Sequence, residues 1–75
     1  MIKKEQLKEL RLQYPVETRI ELIRMDDPAA PPIGTQGTVT GVDDIGDILV
    51  DWDNGSSLNV VPEIDRIRKV ADSDE

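Results

Sequence analysis

The sequence contains no cysteine, no histidine and no phenylalanine. Without cysteine there is no disulfide, no thiolate metal site and no thiol nucleophile, and nothing calls for an oxidising compartment. Catalysis needs a positioned base, nucleophile or metal. With histidine also missing, only carboxylates, lysines, hydroxyls and Tyr14 remain to supply one. Tyr14 and Trp52 are the only aromatic residues, so a peptide groove or a methyl-lysine cage, each built from several rings around one site, is excluded. No segment approaches the roughly 20 apolar residues of a membrane span. Residues 1–5 lead into alternating charges, which points to a cytoplasmic protein with no membrane contact.

What is present is a short, acidic, aliphatic chain. Its 75 residues suffice for one domain with a modest core of Ile, Leu and Val, and a domain of that size buries only about 60% of the surface its unfolded chain exposes. The net charge is −7, unevenly placed. Residues 1–13 carry +2 (Lys3, Lys4, Lys8 and Arg11 against Glu5 and Glu9) and residues 71–75 carry −3, which leaves −6 on residues 14–70.

The organisation follows from periodicity. Residues 2–13 lack Gly and Pro, and Leu7, Leu10 and Tyr14 fall on one helical face, predicting an N-terminal helix that stops before Pro15. A helix this short is stable only if that stripe docks, on the domain or on a partner. Residues 18–25 read as a first strand with Ile20 and Leu22 on one face. Ile23 and Met25 have the opposite parity, which requires a bulge or a strand covered on both sides. Pro28, Pro31 and Pro32 make residues 26–34 a loop. Residues 37–42 form a second strand with Val39 inward, and residues 43–47 its turn. Ile48, Val50 and Trp52 alternate as a third strand.

Asn54-Gly55 then predicts a tight hairpin through positive φ angles, returning along residues 57–60 with Leu58 and Val60 across from Val50 and Trp52. Residues 63–65 suit one 3₁₀ turn and residues 67–70 a last strand. The predicted fold class is mainly β: a five-stranded SH3-like barrel over residues 14–70, a helix over 1–13 and a disordered acidic tail over 71–75.

Two patterns invite a chemical reading and fail it. Asp43, Asp44, Asp47, Asp51 and Asp53 crowd two turns, but a calcium loop begun at Asp51 would place Gly55 and Pro62 where it needs oxygen ligands. Ordinary turn chemistry accounts for the aspartates. The five glycines match no phosphate-binding spacing, and Gly34-Thr35-Gln36-Gly37 lacks the helices and positive charge of a nucleic-acid clamp. No catalytic residue, metal or cofactor is expected.

Tyr14-Pro15-Val16-Glu17-Thr18-Arg19-Ile20-Glu21-Leu22, Asp26-Asp27-Pro28, Pro31-Pro32-Ile33-Gly34-Thr35-Gln36-Gly37-Thr38-Val39, Val42-Asp43-Asp44-Ile45-Gly46 and Trp52-Asp53-Asn54-Gly55-Ser56 together resemble a small bacterial and phage-associated family of unknown function. The resemblance covers residues 14–70 and implies a mobile-element setting. It carries over no catalytic or ligand residue. Family members usually have Gly at the position of Glu17, and the departure suggests that the turn before the first strand does not need a positive φ here.

The leading expectation is a monomeric, non-enzymatic interaction or accessory module that binds an unidentified protein. Its surface would be formed by Trp52, Asp53, Asn54, Pro31 and Pro32, with Trp52 reading either as core or, if exposed, as the best single anchor. The alternative is a regulator acting at nucleic acid. It would use a basic patch of Lys3, Lys4, Lys8, Arg66, Arg68 and Lys69, should the helix pack beside the last strand, or an acidic surface that imitates DNA. With −6 on residues 14–70 and one tryptophan for stacking, direct nucleic-acid binding is disfavoured.

Overall fold

A single turn of side-chain chemistry starts the chain: the Lys3 N–H donates to Gln6 Oε1 at 3.0 Å, and helix α1 (Lys4–Gln13) follows. The computed structural model describes residues 2–70. The acidic tail expected at 71–75 lies outside them. Helix α1 ends where the Tyr14 N–H closes on the Leu10 carbonyl at 2.9 Å, immediately before Pro15. Strands β1 (Arg19–Arg24), β2 (Gln36–Val42), β3 (Ile48–Trp52) and β4 (Arg66–Lys69) form one antiparallel sheet in the order β3-β2-β1-β4.

The sheet has four strands where five were predicted, and it is open, with β3 and β4 at opposite edges. The missing strand is residues 57–60, of which only Val60 pairs, bridging to Ile48. Asn54 Oδ1 accepts the Ser56 N–H at 3.1 Å and Ser56 Oγ the Leu58 N–H at 3.4 Å. Such local side-chain bonds compete with a ladder. The register also differs from the predicted one. The Trp52 N–H donates to the Ser56 carbonyl, and an antiparallel return counted from there sets Val60 against Ile48, not against Trp52. The turn itself has a positive φ only at Gly55, at 93°, and not at Asn54. It is a three-residue loop rather than the two-residue turn that Asn-Gly usually makes.

Two bulges reconcile strand parity with burial. Opposite β4, Ile23 is the extra residue between Leu22 and Arg24, so Ile23 turns out to solvent and Met25 returns to the core. Of the two readings of that segment, the bulge is the one found. Thr40 plays the same part in β2. The core consists of Ile20, Leu22, Met25, Val39, Ile48, Val50, Trp52 and Val60, with no buried polar or charged residue among the described ones. The proline loop folds over this face, burying Pro31 while Pro32 stays exposed.

Trp52 is 3% exposed, and its indole N–H donates to the Leu58 carbonyl at 2.8 Å. Its ring lies across Gly37, its partner on β2. A Cβ at Gly37 would stand 2.9 Å from Trp52 Cε3 and 2.7 Å from Val50 Cγ1. The tryptophan is core, which removes it from the predicted binding surface.

Glu17 reverses a second expectation. Its φ is +77°, the one positive value among the non-glycine residues described. The position therefore does need the left-handed region that glycine adopts freely. Its N–H is held by the Val39 carbonyl at 2.7 Å, so the turn is anchored to β2 whatever side chain it carries.

Replacing Trp52 by Ala should cost about 3–5 kcal/mol, from lost burial and the cavity left over Gly37. Urea titration of the variant measures that loss. Glu17→Gly should stabilise by about 1 kcal/mol, the left-handed cost of a Cβ less glycine's greater chain entropy. Glu17→Ala, which removes the charge but keeps the Cβ, should give no such gain in the same titration.

Candidate functional site

Helix α1 seats on the end of β2 and on the 43–47 turn. Ile2 meets Gly46, where a Cβ would stand 2.7 Å from Ile2 Cδ1. Arg11 donates to the Val42 carbonyl at 3.0 Å and to Asp44 at 3.0 Å, while Leu10 and Tyr14 pack on the core. The helix thus docks on the domain by Leu10 and Tyr14 of the predicted stripe. The helix packs against β2 and not beside β4, the arrangement on which the expected patch of Lys3, Lys4, Lys8, Arg66, Arg68 and Lys69 depended. Arg68 is paired with Glu21, and Lys69 Nζ lies 5.2 Å from the centre of the Tyr14 ring.

The outer face of the sheet is closed by a polar network. Arg19 donates to both Asp53 oxygens at 2.9 and 2.6 Å, to Thr38 Oγ1 at 2.9 Å and to Gln36 Oε1 at 3.2 Å. The fork ties β1 and β2 to the hairpin and holds the Asp53 carboxyl below its ordinary value. Of the predicted protein-binding residues, Trp52 and Pro31 are buried, Asp53 is engaged by Arg19, and Asn54 and Pro32 are exposed at separate loops.

In the 43–47 turn, Asp43 Oδ1 accepts the N–H groups of Ile45 at 3.2 Å and Asp47 at 2.9 Å. Asp65 Oδ2 accepts the Val61 N–H at 2.8 Å. The aspartates act as turn formers, and among the described residues no group of them is arranged to hold a metal ion. Asp47 is pushed above its ordinary value first by burial, then by the charges of Asp43 and Asp65.

A further concave surface lies elsewhere. After Val60 the chain crosses from the β3 edge to β4 through one turn, with the Ile64 N–H on the Val61 carbonyl at 2.9 Å. Between that turn and the β1 bulge is a cleft of about 770 Å³ whose apolar wall is Tyr14, Ile23, Ile48, Val60, Ile64 and Ile67, and which Arg24, Asp26, Glu63, Asp65 and Arg66 also line. Ile23 and Ile64 are 40% and 67% exposed. Sequence reasoning missed this cleft because its walls come from five separate stretches. The one signal in the chain was the odd parity of Ile23.

The profile of a family described as a domain of unknown function, DUF4314, matches residues 3–70. No curated protein and no solved structure matches the chain. Among the described residues no helix is long and apolar enough to cross a membrane.

The raised Asp47 carboxyl predicts a pH effect of definite sign. Between the ordinary value of 3.8 and its higher folded value the native state binds more protons than the unfolded chain, so rising pH removes stability through that window. Asp47→Asn should therefore melt higher than the parent near neutral pH. The difference should shrink on acidification and vanish well below 3.8, as thermal melts across that range would record.

Proposed function

This chain belongs to the DUF4314 family, and we propose that it serves as a non-enzymatic protein-interaction module whose contact surface is the cleft between the β1 bulge and the turn before β4. One observation carries the reading. Ile64 is 67% exposed at the mouth of a concave surface whose floor is the half-buried Tyr14 and the edge of the core. A concave surface that combines exposed aliphatic side chains with a few charged ones is where partners anchor. The fold behind it is read as an opened SH3-like barrel, in which the Val60 bridge stands in for a strand and the crossing turn leaves the mouth uncovered. The mobile-element setting implied by the resemblance suits a small accessory protein of this kind.

The nucleic-acid alternative draws no support from the helix, which packs on β2 rather than beside β4. Affinity capture from the source cell, with and without nuclease, compares the parent with Ile64→Asp, a variant whose exposed position should leave the thermal midpoint unchanged. The expected result is a protein retained by the parent after nuclease and lost by the variant. Recovery of nothing from either, or recovery only while nucleic acid is intact, would overturn the reading.

A further inference from the structure

Strand β4 forms one wall of that cleft, and its outer edge is open. In an antiparallel ladder successive residues direct their backbone groups to alternate sides. The Val70 N–H donates to the Arg19 carbonyl, whereas Leu22 bonds to the 34–35 segment on the β2 side. With Glu21 opposite Arg68, Arg68 therefore faces β1. The N–H and C=O of Ile67 and Lys69 point the other way and have no backbone partner among the described residues.

The charge on this edge is opposite to that of its surroundings. β4 reads Arg66-Ile67-Arg68-Lys69, three positive charges in four positions, while the rest of residues 14–70 carries −9 (−6 less the +3 of the strand). Arg66 lies directly across from Arg24. Like charges directly opposite one another are unfavourable, and Arg24 has only an exposed partner, Asp26, at 3.3 Å. Arg66 has no carboxylate partner among the described residues. A carboxylate placed between the two guanidiniums would relieve that repulsion.

We propose that β4 accepts an acidic, extended segment of a partner protein as an added strand, with carboxylates against Arg66 and the Arg68–Glu21 pair on the outer face and alternate apolar side chains on the face of Ile67, in the cleft beside Ile64. The inference rests on the reading of the cleft given above and adds the chemistry of its occupant. Strand addition takes its affinity from main-chain bonds and its selectivity from the pockets for alternate side chains. A second copy does not fit, since pairing β4 with β4 sets three positive charges against three. The competing role for basic residues on an edge is to prevent pairing altogether, and the two roles predict opposite results.

The probe is a blocked heptapeptide alternating Glu and Val, compared with its Lys and Val counterpart, titrated into the full chain and followed by amide spectra. The acidic peptide should shift the Ile67 and Lys69 amides and slow their exchange with solvent. Its affinity should weaken on the order of tenfold in Arg66→Glu and fall as salt is raised. The basic peptide should do neither. Lys69→Pro, which removes an outward N–H without touching the β1 ladder, should abolish binding. No shift with the acidic peptide, equal shifts with both, or shifts confined to the β3 edge would overturn the proposal. Partner capture separates it from the reading beneath it. Capture lost in Ile64→Asp but kept in Lys69→Pro sinks strand addition alone, and capture absent from the parent sinks both.

Discussion

The contact between the Trp52 ring and Gly37 is the constraint on which the rest of this small fold depends. A chain with one tryptophan and no phenylalanine has a single large ring with which to fill its core. Burying a Trp side chain removes 150–250 Å² or so from water, an area that no Ile or Val here can match alone. The ring fits only because the facing residue on β2 has no side chain. It stays in place because its N–H has a partner, the Leu58 carbonyl. That bond uses a carbonyl on the segment returning from the hairpin. The same ring that closes the core thus holds residues 56–60 against the sheet without a continuous ladder. The reduced fifth strand and the packed centre are two results of one placement.

Charge follows a related economy. An acidic domain this small must hold its carboxylates apart, and it does so by assigning them to turns and by giving selected ones an arginine. Arg19 gathers Asp53, Thr38 and Gln36 on the outer face, and Arg11 reaches from the helix to Asp44. These pairs are exposed, so each contributes little to stability. Their value is positional: one fixes the hairpin over β1 and β2, the other fixes the helix over the 43–47 turn. Asp47, placed between Asp43 and Asp65 with no cation of its own among the described residues, is where the arrangement falls short.

Much of the fold was legible in the chain because period and punctuation agreed. The Leu7, Leu10, Tyr14 stripe gave the helix and its docked face, and Pro15 gave its end. The alternation of Ile48, Val50 and Trp52 gave β3, and the broken parity at Ile23 gave the bulge. What misled was local chemistry that depends on tertiary contacts. Asn54-Gly55 carries a two-residue turn signal, yet the turn widened because Trp52 and Ser56, not their neighbours, close it. Glu17 takes its positive φ as the third residue of the turn that the Thr18 N–H closes on the Pro15 carbonyl, and the side chain itself gave no sign of it. The site was less legible than the fold. The residues chosen for it were the conspicuous ones, an aromatic and prolines, and conspicuous apolar residues in a small domain are the ones its core takes first.

The same logic bears on how a domain with no visible chemistry can still recognise something. A closed barrel would have no free strand edge, whereas an open four-stranded sheet has two. Here they are treated differently. The β3 edge is occupied by the domain's own returning segment through Ser56 and Val60, so what remains of it is short. The β4 edge has no such cover among the described residues, and it is the edge on which the basic side chains are concentrated. In a chain of net charge −7, three cations on one four-residue strand make that edge attractive to anionic segments and repellent to copies of itself. The crossing turn that prevents closure of the sheet also forms the cleft wall alongside, so a free edge and an apolar mouth arise from one departure from the barrel. In the proposed binding mode, specificity comes from which side of the sheet is left unfinished.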